Sequence, residues 1–207
     1  MMNNYQRVIT YVDGFNLYFS LKDKDWKRYY WLNVKKLAEN LIKPDQRLIA
    51  TKYFTSRVKK PVNKQKRQTT FIEALETLDK FEIYYGKYQL NPRKCRKCGY
   101  TEIVPSEKMT DVNIATELLS DAFQDKFDTA LLISADSDLT APLNTVRRLF
   151  VKKRVVIAFP PARYSSDLAK SANAHFIIGR NKLAKSVFPE EVIKQDGFTL
   201  KRPPSWQ

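Results

Sequence analysis

Hydrophobic and polar positions along this chain switch repeatedly between a period of two and a longer, helical period. Val8–Val12 is a short β-branched and aromatic run that ends at Asp13-Gly14, a turn signal, and it predicts a first strand. Leu48–Thr55 and Glu82–Gln89 predict further strands. Thr129–Ile133 and Val155–Phe159 are almost continuously apolar, the pattern of strands covered on both faces of a parallel sheet, and His175–Ile178 predicts a last strand. Between them, Asn33–Ile42 opens on a capping residue and stops before Pro44, and Asn63–Leu78 carries Phe71, Leu75 and Leu78 at helical spacing. Thr110–Phe123 and Ser137–Phe150 are the clearest helices. Strand–helix alternation of this kind predicts an α/β fold: a three-layer α/β/α sandwich with a mainly parallel central sheet and right-handed crossovers.

Length adds that one domain is enough, since 207 residues is close to the ~100–200 expected for each. The main domain is expected over residues 1–187, with 188–207 as a C-terminal tail. The last ten residues, Phe198–Gln207, contain Pro203-Pro204 and are either loose or docked through Phe198 and Trp206. No apolar run approaches the roughly 18–20 residues of a membrane helix. Met-Met-Asn-Asn-Tyr-Gln-Arg at the start lacks a signal core, and two cysteines so close together make a poor disulfide framework. A soluble, cytoplasmic protein is the expectation.

Charge narrows the partners. Lys and Arg outnumber Asp and Glu by 37 to 22, a net charge of +15. The excess is clustered: Arg57, Lys59, Lys60, Lys64, Lys66 and Arg67; then Lys87, Arg93, Lys94, Arg96 and Lys97; then Arg147, Arg148, Lys152, Lys153 and Arg154. Each phosphate that such a cluster neutralises releases counterions, so three of them favour nucleic acid over a merely solvated surface.

In open α/β sheets ligands bind beyond the carboxyl ends of the strands. The first strand ends in Asp13-Gly-Phe-Asn16, and the Thr129–Ile133 strand runs into Ser134-Ala-Asp136-Ser-Asp138. Asp111 comes in by an angular argument. At 100° per residue it lies within about 40° of Ala115, Leu118 and Ala122, so it heads the stripe that faces the sheet. Glu117 falls on the outer face of that helix. Singly, each of these acids could cap a helix or shape a turn. Gathered together they repel, by roughly 4 kcal/mol for two at ~4 Å and an effective dielectric of 20. A cluster must therefore take up protons or a cation, and hard oxygen ligands favour Mg2+ or Mn2+.

Other chemistries find little support. His175 is the single histidine and reads as a packed strand-edge residue. Neither a dinucleotide-binding nor a P-loop glycine pattern occurs. Cys95-Arg-Lys-Cys98 is half of a zinc site, a possible Zn2+ ligand pair that a homodimer or His175 would have to complete. The alternative is a turn at the tip of a basic hairpin inserted at about residues 86–105, whose Arg93, Lys94, Arg96 and Lys97 touch nucleic acid. The aromatics of Trp26-Lys-Arg-Tyr29-Tyr30-Trp31 either stack on unpaired bases or pack the core.

Three ordered segments, Tyr-Val-Asp13-Gly-Phe-Asn16-Leu, Glu107-Lys-Met-Thr110-Asp111-Val and Ser134-Ala-Asp136-Ser-Asp138-Leu, resemble the NYN family of PIN-like nucleases. The basic Cys-x-x-Cys insert before Glu107 is similar to that of a bacterial branch of the family. The resemblance implies a Rossmann-like fold and a metal-dependent endoribonuclease acting on RNA with single-stranded segments. It makes Asp13, Asp111, Asp136 and Asp138 the metal-binding acids, with Asn16 and Ser134 supporting the pocket. Ala135 stands where the family often has glycine. In-line hydrolysis at such a site would leave 5′-phosphate and 3′-hydroxyl ends. A silent RNA-binding or regulatory module, a DNA nuclease and a small-molecule enzyme on the same scaffold remain as alternatives.

Overall fold

The computed structural model describes residues 5–207; residues 1–4, part of the segment read above for a signal core, lie outside the described residues. In chain order the strands are β1 Gln6–Asp13, β2 Gln46–Thr55, β3 Phe81–Tyr85, β4 Lys87–Lys94, β5 Thr101–Lys108, β6 Thr129–Ile133, β7 Arg154–Phe159, β8 Ala174–Ile177, β9 Glu191–Ile193 and β10 Thr199–Lys201. The helices are α1 Gly14–Asp23, α2 Val34–Leu41, α3 Val62–Glu76, α4 Thr110–Phe123, α5 Thr140–Leu149, α6 Ser166–Ser171 and α7 Arg180–Ala184.

Six strands form one parallel sheet in the order β3-β2-β1-β6-β7-β8. The order reverses between β1 and β6, which opens a crevice at their carboxyl ends. Side chains alternate across a strand, so Val8 and Val12 of β1 enter one core while Ile9 and Tyr11 enter the other. Leu17 and Leu21 of α1, Leu37 of α2, Leu75 of α3 and Leu183 of α7 pack the first. Ile114 and Leu118 of α4, Leu143 and Val146 of α5 and Leu168 of α6 pack the second. This is the expected three-layer α/β/α sandwich. No helix among the described residues is long and apolar enough to cross a membrane.

Several elements depart from the sequence pattern. Helix α1 has no counterpart in it, because Phe15, Tyr18 and Phe19 blur the apolar stripe formed by the buried Leu17 and Leu21. The run Glu82–Gln89 splits at Gly86, where the chain leaves the sheet for the antiparallel β4–β5 hairpin. The helix expected from Ser137 starts as a 3-10 turn over Ser137–Leu139, and α5 proper begins at Thr140. Pro142 then falls in the first turn of α5, where a missing N–H costs little. The C-terminal segment is docked through Trp206, whose ring lies 5.8 Å from Tyr30, 6.1 Å from Phe71 and 6.4 Å from Trp31. Phe198 stays exposed. Of the aromatic run before α2, Tyr29 and Trp31 are core residues.

Glu117 also differs. It does not face only solvent, since Lys52 of β2 reaches it at 2.8 Å and the Tyr84 hydroxyl donates to it at 3.0 Å. Strands β2 and β3 extend beneath the flank of α4, so a residue one step off the apolar stripe still meets the sheet.

Gly14, the first residue of α1, is buried where the helix turns back over β2. A Cβ there would stand 2.5 Å from the Tyr53 ring and 2.8 Å from the Phe54 carbonyl oxygen. Gly14→Ala is expected to lower stability by about 1–3 kcal/mol, the usual cost of overpacking, read as a lower urea midpoint at unchanged slope. An unchanged midpoint would show that Tyr53 yields freely.

Candidate metal centre

Asp13 is the last residue of β1 and the N-cap of α1. Its Oδ1 accepts a hydrogen bond from the Asn16 backbone N–H (2.9 Å), and its Oδ2 accepts one from the Ser134 hydroxyl (3.0 Å). Ser134 in turn accepts from the Asp136 N–H at 3.1 Å, and Asn16 Oδ1 accepts from the Ala135 N–H at 3.2 Å. Two of these four bonds, Ser134 to Asp13 and Ala135 to Asn16, join the ends of β1 and β6 across the crevice, and the other two fix each end locally. Ala135 contributes through its backbone, so the absence of glycine there leaves this bond in place.

Asp136 caps the 3-10 turn, its Oδ1 accepting from the Asp138 N–H at 3.0 Å. Asp111 arrives from the second position of α4, which starts after Met109 takes a left-handed conformation (φ 78°). One carboxylate oxygen from each of Asp13, Asp111 and Asp136 lies within 4.8 Å of the others, the one such cluster among the described residues. Asp138 is exposed and stands outside this trio, though its charge still bears on Asp111.

The trio is electrically costly. Burial pushes the Asp13 carboxyl up to about 6, against the Asn16 and Ser134 hydrogen bonds that hold it down. Asp111 is raised as well, by burial and then by the charges of Asp136 and Asp138. A further acid, which the spacing of the strands did not single out, completes the picture. Glu107 of β5 is half-buried, and burial followed by the charges of Asp111 and Asp13 pushes its carboxyl up to about 7. Its Oε1 is buried and has no hydrogen-bond partner among the described residues. Gly86 makes room for it, because a Cβ at that position would lie 2.6 Å from Glu107 Oε1. The one sign of Glu107 in the sequence is its place in the Glu-Lys-Met-Thr-Asp segment that carries Asp111.

No Lys or Arg among the described residues forms an ion pair with these four carboxylates. A partly buried oxygen cluster that no Lys or Arg among the described residues pairs fits a hard divalent cation. Asp13, Asp111 and Asp136 are the residues that could hold it.

The basic residues divide by location. Arg57, Lys59, Lys60, Lys64, Lys66 and Arg67 occupy the connection after β2 and the start of α3, at the carboxyl end of the sheet with the acids. Within that group Arg57 is turned aside, donating to the Tyr85 hydroxyl at 2.8 Å. Arg93, Lys94, Arg96 and Lys97 are exposed on the hairpin, which leaves from β3 and returns to α4 on that same side. The third cluster sits at the far end of α5 and the start of β7, at the opposite, amino end of the strands, where Lys153 is bound to Asp125 and the Phe127 carbonyl.

Cys95 and Cys98 are free and exposed at the hairpin tip, where the Cys95 N–H donates to the Tyr100 carbonyl at 2.7 Å. The described residues bring no third Cys, His, Asp or Glu to them. His175 cannot complete the site: it is on β8, at the other edge of the sheet, against Phe159 and Tyr164.

An acid trio thus stands at the switch point of a parallel six-stranded sheet, beside a basic flank. The NYN domain model matches residues 7–183, and the chain belongs to the NYN domain family. A relative named 6-hydroxy-3-succinoylpyridine 3-monooxygenase HspA, from Pseudomonas putida, is 26% identical over 97% of this chain and 75% of its own length. The crystal structure of a protein of unknown function from Vibrio parahaemolyticus shares the fold. Its TM-score is 0.58 at 17% identity, over 87% of this chain and 98% of the other.

Proposed function

We propose that this chain is a metal-dependent endoribonuclease whose catalytic site is the Asp13–Asp111–Asp136 cluster. The observation that carries this is a partly buried carboxylate trio, with no ion-paired Lys or Arg among the described residues, on the side of the sheet that also bears two basic clusters. A polyanion is drawn to such a flank, and the acids await a cation that would let phosphate approach. A bound Mg2+ or Mn2+ would supply a hydroxide nucleophile at neutral pH and offset the charge that develops on the phosphate.

The chain's own residues hold that arrangement in place. Ser134 and the Asn16 N–H lock the Asp13 carboxylate, and Asn16 and Ser134 fix the loop that carries Asp136. Glu107 adds a fourth carboxylate at the rim, and Asp138 serves from outside the trio. Lys59, Lys60, Lys64, Lys66 and Arg67 on one side, and Arg93, Lys94, Arg96 and Lys97 on the other, would bind backbone phosphates.

The test is end-labelled single-stranded RNA with Mn2+, using the parent protein and an Asp136→Asn protein prepared identically. The parent is expected to cleave, leaving 5′-phosphate and 3′-hydroxyl ends, with activity in the variant lower by about 10²-fold, a size typical of losing one group that acts in the transition state. Equal cleavage by both would sink the assignment to this cluster. A 2′,3′-cyclic phosphate product would sink the hydrolytic mechanism, since the RNA hydroxyl would then be the nucleophile. A matched DNA strand tests the DNA nuclease alternative.

Action on a small heteroaromatic acid is the competing function. It is favoured by the name of the Pseudomonas putida relative together with an aromatic cleft beside the acids.

A further inference from the structure

Next to the acid trio lies a cleft of about 370 Å3. Phe15 and Tyr18 of α1, Tyr30, and Tyr88 of β4 give it flat aromatic walls, and all four are only partly buried. Gly14 and Glu107 also line it, so its inner end borders the neighbours of Asp13 and Asp111. Lys60, Lys64 and Arg67 stand around the same opening.

Those cations differ from others in the molecule. Lys35 is matched to Asp79, Lys153 to Asp125 and Arg202 to Glu190. Lys60, Lys64 and Arg67 form no ion pair among the described residues. Arg67 is close enough to Tyr18 to act on its hydroxyl, which burial pushes up and the guanidinium draws back. Tyr18 therefore presents a ring with a positive charge at hand, its other neighbours being Tyr30 at 5.0 Å and Phe19 at 5.4 Å between ring centroids.

Flat rings suit flat ligands, and uncompensated cations suit an anion attached to them. A nucleotide unites both within one residue of a strand. A base inside a duplex hides its faces in the stack, so an unpaired base is what could enter. We propose that this cleft is a nucleobase pocket: one unpaired base of a single strand stacks beside Tyr18, with its phosphate held by Lys64 and Arg67. The strand is thereby anchored with its next phosphate led towards Asp13. Only that last step rests on the nuclease function; base capture stands without cleavage.

The test measures binding of a short labelled single-stranded RNA to the full chain in EDTA, where no cleavage occurs. An abasic strand of equal length serves as the comparison. Tyr18→Leu keeps an apolar side chain but removes the flat face. It is expected to weaken the base-bearing strand about tenfold, the size of effect that losing one base–aromatic stack gives, and to leave the abasic strand unaffected. Tyr18→Phe should bind as the parent does, and Arg67→Ala should weaken both strands. If Tyr18→Leu does not melt like the parent, Phe15→Leu takes its place.

Equal weakening of both strands, or of neither, overturns the pocket. So does nicotinate, a small heteroaromatic acid, binding more tightly than the base-bearing strand. Base-dependent binding that persists in a protein that cleaves no RNA supports the pocket while refuting the nuclease. Cleavage without base dependence does the reverse.

Discussion

Lys52→Met is expected to remove about 3–5 kcal/mol of stability at neutral pH, the usual consequence of breaking a buried ion pair from one side. The Lys52 ammonium is buried, 2.6 Å from Asp121 and 2.8 Å from Glu117. Asp121 is fully buried and also accepts from the Tyr11 hydroxyl at 2.7 Å, with Lys126 at 3.1 Å. Burial alone would push the Asp121 carboxyl up. The bonds from Lys52, Tyr11 and Lys126 outweigh it and hold the carboxyl below its ordinary range. Methionine fills the volume but leaves a buried carboxylate short of its nearest countercharge.

A depressed acid contributes stability above its unfolded value, near 4, and loses it as pH falls through its folded value. The deficit of Lys52→Met should therefore be full at pH 7 and shrink as pH falls below about 4, towards the depressed folded value at which Asp121 takes up its proton in the parent. Lys52→Met with Asp121→Leu should lose less than Lys52→Met alone, because the stranded charge is gone. Urea titrations of both proteins at two pH values read this directly. A deficit independent of pH, or a double variant worse than the single one, would show that packing and not charge is what Lys52 provides.

The same network marks the limit of what periodicity can tell. Thr129–Ile133 and Thr110–Phe123 have the boundaries their patterns predict, because the first is an unbroken run ending at Ser134 and the second a regular helical stripe over about four turns. Asp13 and Asp136 were legible because the carboxyl end of a parallel strand is a fixed address, and Asp111 because 100° per residue sends it inward. Glu107 was not legible. It reaches the acids only after a hairpin excursion of some twenty residues, and nothing local says where that hairpin returns. Glu117 was misplaced for a related reason: a helical wheel knows the axis but not how far the sheet extends beneath it. Lys52, read from its strand, is an ordinary polar position. Its burial is set by Asp121 and Glu117, 69 and 65 residues further on. Helix α1 was hidden by aromatics on both of its faces, and those same rings build the cleft. Function and element pattern compete there for the same positions.

In metal-free protein, Asp13→Asn is expected to raise stability at pH 8 by up to about 3 kcal/mol. Asparagine is as good an N-cap as aspartate and can still accept from the Asn16 N–H. What it lacks is the charge. The Asp13 carboxyl is pushed up to about 6 by burial, some two units above its ordinary value, at about 1.4 kcal/mol for each unit. A raised acid contributes stability that is complete below its unfolded value, near 4, and is lost as pH rises through its folded value. The parent should therefore weaken relative to Asp13→Asn between about pH 4 and pH 7, and the two should nearly coincide at pH 4. Thermal melts in EDTA across that window test the linkage. Adding Mn2+ at pH 8 should then raise the parent's melting temperature and leave the variant's almost unmoved, since a cation gains most where repulsion is greatest. A variant less stable than the parent at pH 8 would mean that the hydrogen bonds to Asp13 outweigh its burial. The acid cluster would then be a structural cap and not a site kept open for a cation.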